Sequence, residues 1–147
     1  MGMLTKTKMD KKAKKQKSMI SSKNTDLVHT SPIPLGVRAG DFVFLSAVRG
    51  VKPGTAFVEE ADPELQTIQL FSNLEGILES LELSFDSVVK VGVYMKNLQR
   101  DRLIFNKYWR DNFGDSLPAR HAVQVSDLGD EKGLTLFLLD VTIYDPR

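Results

Sequence analysis

From Asp41 to Tyr144 the apolar residues follow two alternating spacings, and each change of spacing marks an element. Pro32, Pro34 and Gly36 punctuate a loop, and the compact apolar run Asp41-Phe-Val-Phe-Leu-Ser46 then predicts a buried strand over 41–46. Residues 50–60, with Gly50, Pro53 and Gly54, form an excursion. Asp62 next precedes Pro63 and Glu64, the order of an N-cap, a first-turn proline and a first-turn acid. Ile68, Phe71, Leu74, Leu78 and Leu81 recur at steps of three and four, which predicts a helix from about 63 to 82 with one apolar face.

Residues 88–95 return to a period of two, with Val89, Val91, Val93 and Met95 on one side and Lys90, Gly92 and Tyr94 on the other. A second helix is predicted over 101–113 from Leu103, Ile104, Tyr108 and Trp109, and Gly114 is its natural stop. Trp109 and Phe113 are expected in the core. Ala122–Val125 reads as a short strand, 127–133 as a turn built on Asp127, Gly129, Asp130 and Gly133, and Leu134–Tyr144 as a long strand. This order of elements predicts an α+β fold with two helices on one face of a mixed sheet. Leu136, Phe137, Leu138, Leu139 and Val141 read as apolar on both sides of the last strand. That predicts cover for the sheet's second face, most simply by other copies of the chain.

Composition narrows the chemistry. A chain of 147 residues, 41% hydrophobic and 27% charged, fits one globular unit. No cysteine is present, so disulfides, thiolate nucleophiles and cysteine-based metal sites are excluded. His29 and His121, far apart in sequence, give no metal-ligand spacing. The N-terminus has no apolar run or small-residue cleavage site of a secretory signal, and a cytoplasmic location with no membrane contact is expected. Residues 1–24 hold eight lysines against Asp10 alone, which leaves residues 25–147 at −6 out of an overall +1. Residues 1–24 therefore read as a basic, flexible tail, the one segment suited to nucleic acid, on an acidic domain spanning 25–147.

The most specific local signal is Leu117-Pro-Ala-Arg120, placed after a helix and opening a strand. With Lys96-Asn97-Leu98 after a strand and Asn106 on the second helix, it resembles the signature of the YjgF/RidA family, and the resemblance runs from about Val28 to Tyr144. It implies a chorismate-mutase-like fold assembled as a trimeric barrel, with a site in each cleft between subunits. It also implies hydrolysis of reactive 2-imino acids to 2-keto acids and ammonia, with no cofactor and no metal. By the same resemblance the carboxylate-binding arginine falls on Arg120, the strand serine on Ser46 and the helix asparagine on Asn106. The family's acidic residue falls on Asp140 if the turn 127–133 contains an insertion, and on Thr135 without one. The family's loop tyrosine is Ile33 here, the glycine after the serine is Ala47, and the residue two past the arginine, often cysteine, is Ala122. These departures imply a pocket with a different lining.

The chemistry also stands on the residues alone. A guanidinium can hold a planar carboxylate by two parallel hydrogen bonds, and a carboxylate such as Asp140 can position and partly deprotonate a water. Plainer readings accompany each residue. Arg120 and Asp140 can form a structural ion pair, Ser46 can satisfy a turn, and Asn106 can cap or bridge. Alternation along the strand sends His121 to the face opposite Arg120. Two other functions compete with imine hydrolysis: a module that only binds a keto acid, and an endoribonuclease, which the acidic body disfavours.

Overall fold

The computed structural model describes residues 17–23 and 25–147. Six strands form one sheet: β1 (Lys17–Ile20), β2 (Gly36–Ala39), β3 (Phe42–Leu45), β4 (Val88–Met95), β5 (Ala119–Gln124) and β6 (Phe137–Tyr144). Their order is β1-β2-β3-β6-β4-β5, antiparallel throughout except for the parallel pair of β4 and β5. Helix α1 (Pro63–Ser80) fills the connection from β3 to β4, and α2 (Leu98–Phe113) is the crossover that a parallel β4–β5 pair needs. The expected α+β class is observed, with the two helices and the buried sheet residues enclosing one core.

Helix α1 starts as its sequence dictates: Pro63 is at its head, and Asp62 Oδ1 accepts a hydrogen bond from the Leu65 N–H at 2.8 Å. Its buried face is Leu70, Phe71, Leu74, Ile77 and Leu78, while Ile68 is exposed. Helix α2 starts three residues earlier than its spacing suggests, because Asn97 rather than Asp101 is its cap, accepting from the Arg100 N–H at 3.2 Å. Its core face is also rotated from the expected one. Phe105, Trp109 and Phe113 are buried and Leu103 is exposed, because Phe105 packs on Phe71 and Phe137, Phe113 on Phe71, and Trp109 on Phe105 and Phe113. Trp109 and Phe113 are core residues, as expected.

Strand β5 starts at Ala119, three residues before the predicted 122–125, and three further details differ from the sequence reading. Strand β6 begins at Phe137, since Leu134 and Leu136 are taken up in contacts with Gln66 of α1. Its faces then alternate strictly: Phe137, Leu139, Val141 and Ile143 are inward and fully buried, and Leu138, Asp140, Thr142 and Tyr144 are outward. The expectation that this strand is apolar on both sides is therefore corrected. A register irregularity between Val88 and Lys90 puts Val88, not Val89, in the core. Finally, Lys17–Ile20 pairs along β2 as part of the sheet, so the expected boundary at residue 24 does not hold. Of the expected tail, residues 1–16 and 24 lie outside the described residues.

No described helix is long and apolar enough to cross a membrane. The sheet face away from the helices is uncovered in the single chain. At its β3–β6 end it carries Phe42, Phe44 and Tyr144, 41%, 47% and 44% exposed and in contact with one another.

Candidate functional site

Strand pairing fixes where each candidate side chain points. Val91 pairs with Arg120 on one side and with Val141 on the other, and both valines are fully buried beneath the helices. Arg120 thus projects to the helical face, at the edge strand β5. There its guanidinium carbon lies 4.7 Å from the centre of the Trp109 ring and 5.7 Å from that of Phe105, both on α2. Arg120 makes no ion pair or side-chain hydrogen bond among the described residues. Burial pushes its pKa below the ordinary arginine value. The result is a half-buried cation over two aromatic rings, with no carboxylate or side-chain hydrogen-bond partner among the described residues.

Asp140 is on the other face. Gly92 pairs with both Asp140 and His121, so these two share the row next to Arg120's, on the open side of the sheet. The expectation that Arg120 and Asp140 act together is therefore not met within one chain, because neighbouring positions on a strand face opposite ways. The structural ion pair between them is absent for the same reason. His121 does point away from Arg120, as alternation requires. Its imidazole lies over Gly92 so closely that a Cβ there would stand 2.8 Å from Nε2.

The other candidates occupy a second region. Ser46 follows β3, three strands from β5 in the sheet order. Its hydroxyl donates to Pro34 O at 2.7 Å, the backbone-satisfying role, which leaves its oxygen free to accept. Ser46 and Ala47 line a cavity of about 20 Å³ with His29, Arg49 and Ile77. The pKa of His29 is lowered by burial first and by the Arg49 charge second. Ile33, in the loop before β2, is 45% exposed. Asn106 lies on α2 with its Oδ1 buried and unpartnered, and Ala122 packs against the core. Thr135 is fully buried, and its Oγ1 is likewise without a partner.

The candidates thus fall into two groups within one chain. Arg120 and Asn106 belong to the β5–α2 side, and Ser46 and Ile33 to the β2–β3 side. Arg49 and His29 were missed as members of the second group. Their sequence positions carry no motif, and His29 was weighed only as a metal ligand. Among the described residues no three His, Asp or Glu side chains gather to hold a metal ion. A surface depression of about 900 Å³ beside α1, lined by Lys23, Asp26, Gln69 and Glu75, contains none of the candidates.

Comparison with known proteins adds an independent view. The sequence profile described as endoribonuclease L-PSP matches residues 30–135. A RutC family protein of Pyrococcus horikoshii is 34% identical over 111 residues, spanning 72% of this chain and 87% of that one. The chloroplastic Reactive Intermediate Deaminase A of Arabidopsis thaliana is 31% identical over 97 residues, 66% of this chain and 51% of the plant protein. Among solved structures, RidA from an Antarctic Psychrobacter superposes with a TM-score of 0.76 at 27% identity, covering 86% of this chain and 99% of that one. A Rid protein of Yersinia pestis gives a TM-score of 0.75 at 27% identity, covering 87% and 98%.

Proposed function

The chain belongs to the endoribonuclease L-PSP family, the YjgF/RidA group, and from that premise we propose that it hydrolyses 2-imino acids to 2-keto acids and ammonia at a site shared between copies. The observation that carries this reading is Arg120, a half-buried guanidinium with no anion of its own, stacked on Trp109 at 4.7 Å. A buried cation costs free energy unless paired. A substrate carboxylate pays that debt when it binds, and the ring beneath holds the guanidinium in the plane that a bidentate contact needs.

The separation of the candidates into two groups supports a site assembled from two copies. In a trimer, the β5–α2 edge of one copy meets the open sheet face and the β2–β3 side of the next. In this proposed assembly Arg120 and Asn106 of one copy stand beside Ser46, Ile33 and Asp140 of its neighbour, and the exposed rings of Phe42, Phe44 and Tyr144 are covered. A heterologous contact of this kind closes into a ring. Asp140 can then take part from the neighbouring copy, although it faces away from Arg120 of its own chain.

The reaction needs no more than positioning and proton transfer. Arg120 holds the carboxylate, which fixes the plane of the adjacent C=N bond. Water attacks the imine carbon, a C–O bond forms, and the former π electrons take up a proton at nitrogen. Asp140 takes one proton from the attacking water and passes it to nitrogen, giving a carbinolamine; it then takes the carbinolamine hydroxyl proton and passes it to nitrogen as the C=O forms and the C–N bond breaks, so that ammonia leaves with the 2-keto acid behind. General acid–base help of this kind is worth on the order of 10²-fold to 10⁴-fold. The Oδ1 of Asn106 is a buried acceptor with no partner of its own in the single chain.

A second reading has one observation in its favour: Ser46 donates its proton to Pro34 O, and Ile33 and Ala122 contribute no polar group. The same arginine could then serve a module that binds a keto acid without turning anything over. An amino-acid oxidase that generates imines continuously separates the two, with imine loss followed with and without the protein. Faster loss supports the enzyme. Unchanged loss together with measurable keto acid binding supports the module.

A further inference from the structure

Three arginines are half-buried among the described residues: Arg38, Arg49 and Arg120. Arg38 is satisfied, since its Nη2 donates to Asp145 Oδ2 at 2.7 Å. Arg120 is the cation of the proposed site. Arg49 has no carboxylate partner among the described residues, and its one side-chain hydrogen bond is long, Nη2 to Ala56 O at 3.4 Å. Most of its five donors are unused. In a body of net charge −6 this is an unusual position for a guanidinium, because carboxylates are abundant and none is placed beside it.

The backbone that carries Arg49 is fixed on both sides. Val48 exchanges two hydrogen bonds with Leu139, at 3.0 and 2.8 Å, which anchors the preceding residue to β6. Arg49 O accepts from Asn73 Nδ2 of α1 at 2.9 Å, and Val51 O accepts from the same nitrogen at 3.0 Å. Gly50 packs so tightly on α1 that a Cβ would stand 2.5 Å from Gln66 O. An unpaired cation on so constrained a backbone is placed, as a binding group must be. It also lines the same small cavity as Ser46 and Ala47, so it belongs to the second group. His29 beside it is kept toward the neutral form by burial and by the Arg49 charge, which leaves Arg49 as the cation of that cluster.

We infer that the site takes 2-imino diacids, with the carboxylate next to the imine on Arg120 of one copy and the distal carboxylate on Arg49 of the next. This rests on the shared site proposed above. Each half of that site contributes one unpaired guanidinium, and a ligand anionic at both ends satisfies both. A monocarboxylate satisfies one and leaves the other unpaired. The product of such a reaction is a 2-keto diacid.

The test uses the full-length protein and two readouts. Binding is measured by calorimetry with 2-oxoglutarate and with 2-oxobutanoate, stable products with and without a distal carboxylate. Hydrolysis is measured on imines released by oxidation of glutamate or of 2-aminobutyrate. The wild type is expected to bind 2-oxoglutarate roughly tenfold or more tightly than 2-oxobutanoate, and to show the same preference in kcat/KM for the corresponding imines. Arg49→Met brings both ratios close to one, and Arg49→Lys, which keeps the charge and loses the fork, leaves them intermediate. Equal binding of the two keto acids by the wild type, or an undiminished preference in Arg49→Met, overturns the inference. Hydrolysis without a diacid preference leaves the proposed function standing and removes this inference. A diacid preference in binding with no hydrolysis does the reverse.

Discussion

The guanidinium of Arg120 lies 4.7 Å from the centre of the Trp109 ring, so a core residue of α2 also supports the cation on β5. A cation–π contact of this kind is worth about 0.5 to 2 kcal/mol. Trp109→Leu keeps an apolar side chain and removes the aromatic platform. It is expected to raise the KM for an imino acid about 3-fold to 30-fold while kcat changes less, as steady-state kinetics would show. An unchanged KM with a lowered unfolding midpoint would make Trp109 a packing residue only.

The division between what the sequence disclosed and what it did not follows the range of the interactions. Asp62, Pro63 and the spacing from Phe71 to Leu78 are local signals, and α1 is where they place it. Leu117-Pro-Ala-Arg120 likewise located the strand that carries Arg120. Strand β2, with Gly36 and Arg38 in four residues, has no alternation to read. The Gly40-Asp41 pair between β2 and β3 was a usable hairpin signal, and Gly40 does adopt a positive φ of 59°. The core face of α2 was misjudged because Leu103 and Phe105 are equally apolar in sequence, and only packing against Phe71 and Phe137 selects Phe105. The separation of Arg120 from Asp140 needed the register across β5, β4 and β6, which is a tertiary fact. That Arg49 lacks a partner is another.

Gln66 joins three segments. Its Nε2 donates to Glu60 O at 2.7 Å and to Leu134 O at 2.6 Å, and its Oε1 accepts from the Leu136 N–H at 2.9 Å. The side chain is 3% exposed, so Gln66→Leu leaves backbone groups unpaired away from water. At about 1 to 3 kcal/mol for each unsatisfied buried group, the variant should lose roughly 3 kcal/mol or more in urea denaturation. A loss below about 1 kcal/mol would mean that water replaces the glutamine.

Gly92 and His121 are coupled by contact. A methyl group on Gly92 would meet His121 Nε2 at 2.8 Å and Cε1 at 3.0 Å, so Gly92→Ala must push the imidazole aside. The substitution is expected to destabilise by about 1 to 3 kcal/mol, as overpacking does. Combined with His121→Ala it should cost much less than the sum of the single changes. Additive effects in this double-mutant cycle would place the strain elsewhere.

The Arg38–Asp145 pair gives a pH dependence with a defined sign. The hydrogen bond from Arg38 is the largest influence on Asp145, and it holds the carboxyl pKa below its ordinary value. A group with a depressed folded-state pKa contributes stability above its unfolded value, near 3.9, and loses it as pH falls through the folded one. The stability gap between wild type and Arg38→Gln should therefore hold steady from pH 8 to about 5 and close in more acidic solution, as followed by denaturant unfolding at each pH. A gap that widens on acidification would contradict the pairing.

The central claim is that Arg120 captures the carboxylate of an imino acid for hydrolysis, and the rate of imine loss in Arg120→Ala and Arg120→Lys tests it most directly. Truncating one side of a buried charge pair costs about 2 to 5 kcal/mol, so Arg120→Ala should lower kcat/KM roughly 30-fold to several thousandfold. Arg120→Lys should recover little of that, since an ammonium has no fork for a planar carboxylate. Light scattering on the same samples should show a trimer in all three proteins. Wild-type kcat/KM in Arg120→Ala would contradict the account, and wild-type kcat/KM in Arg120→Lys alone would show that charge matters without planar recognition.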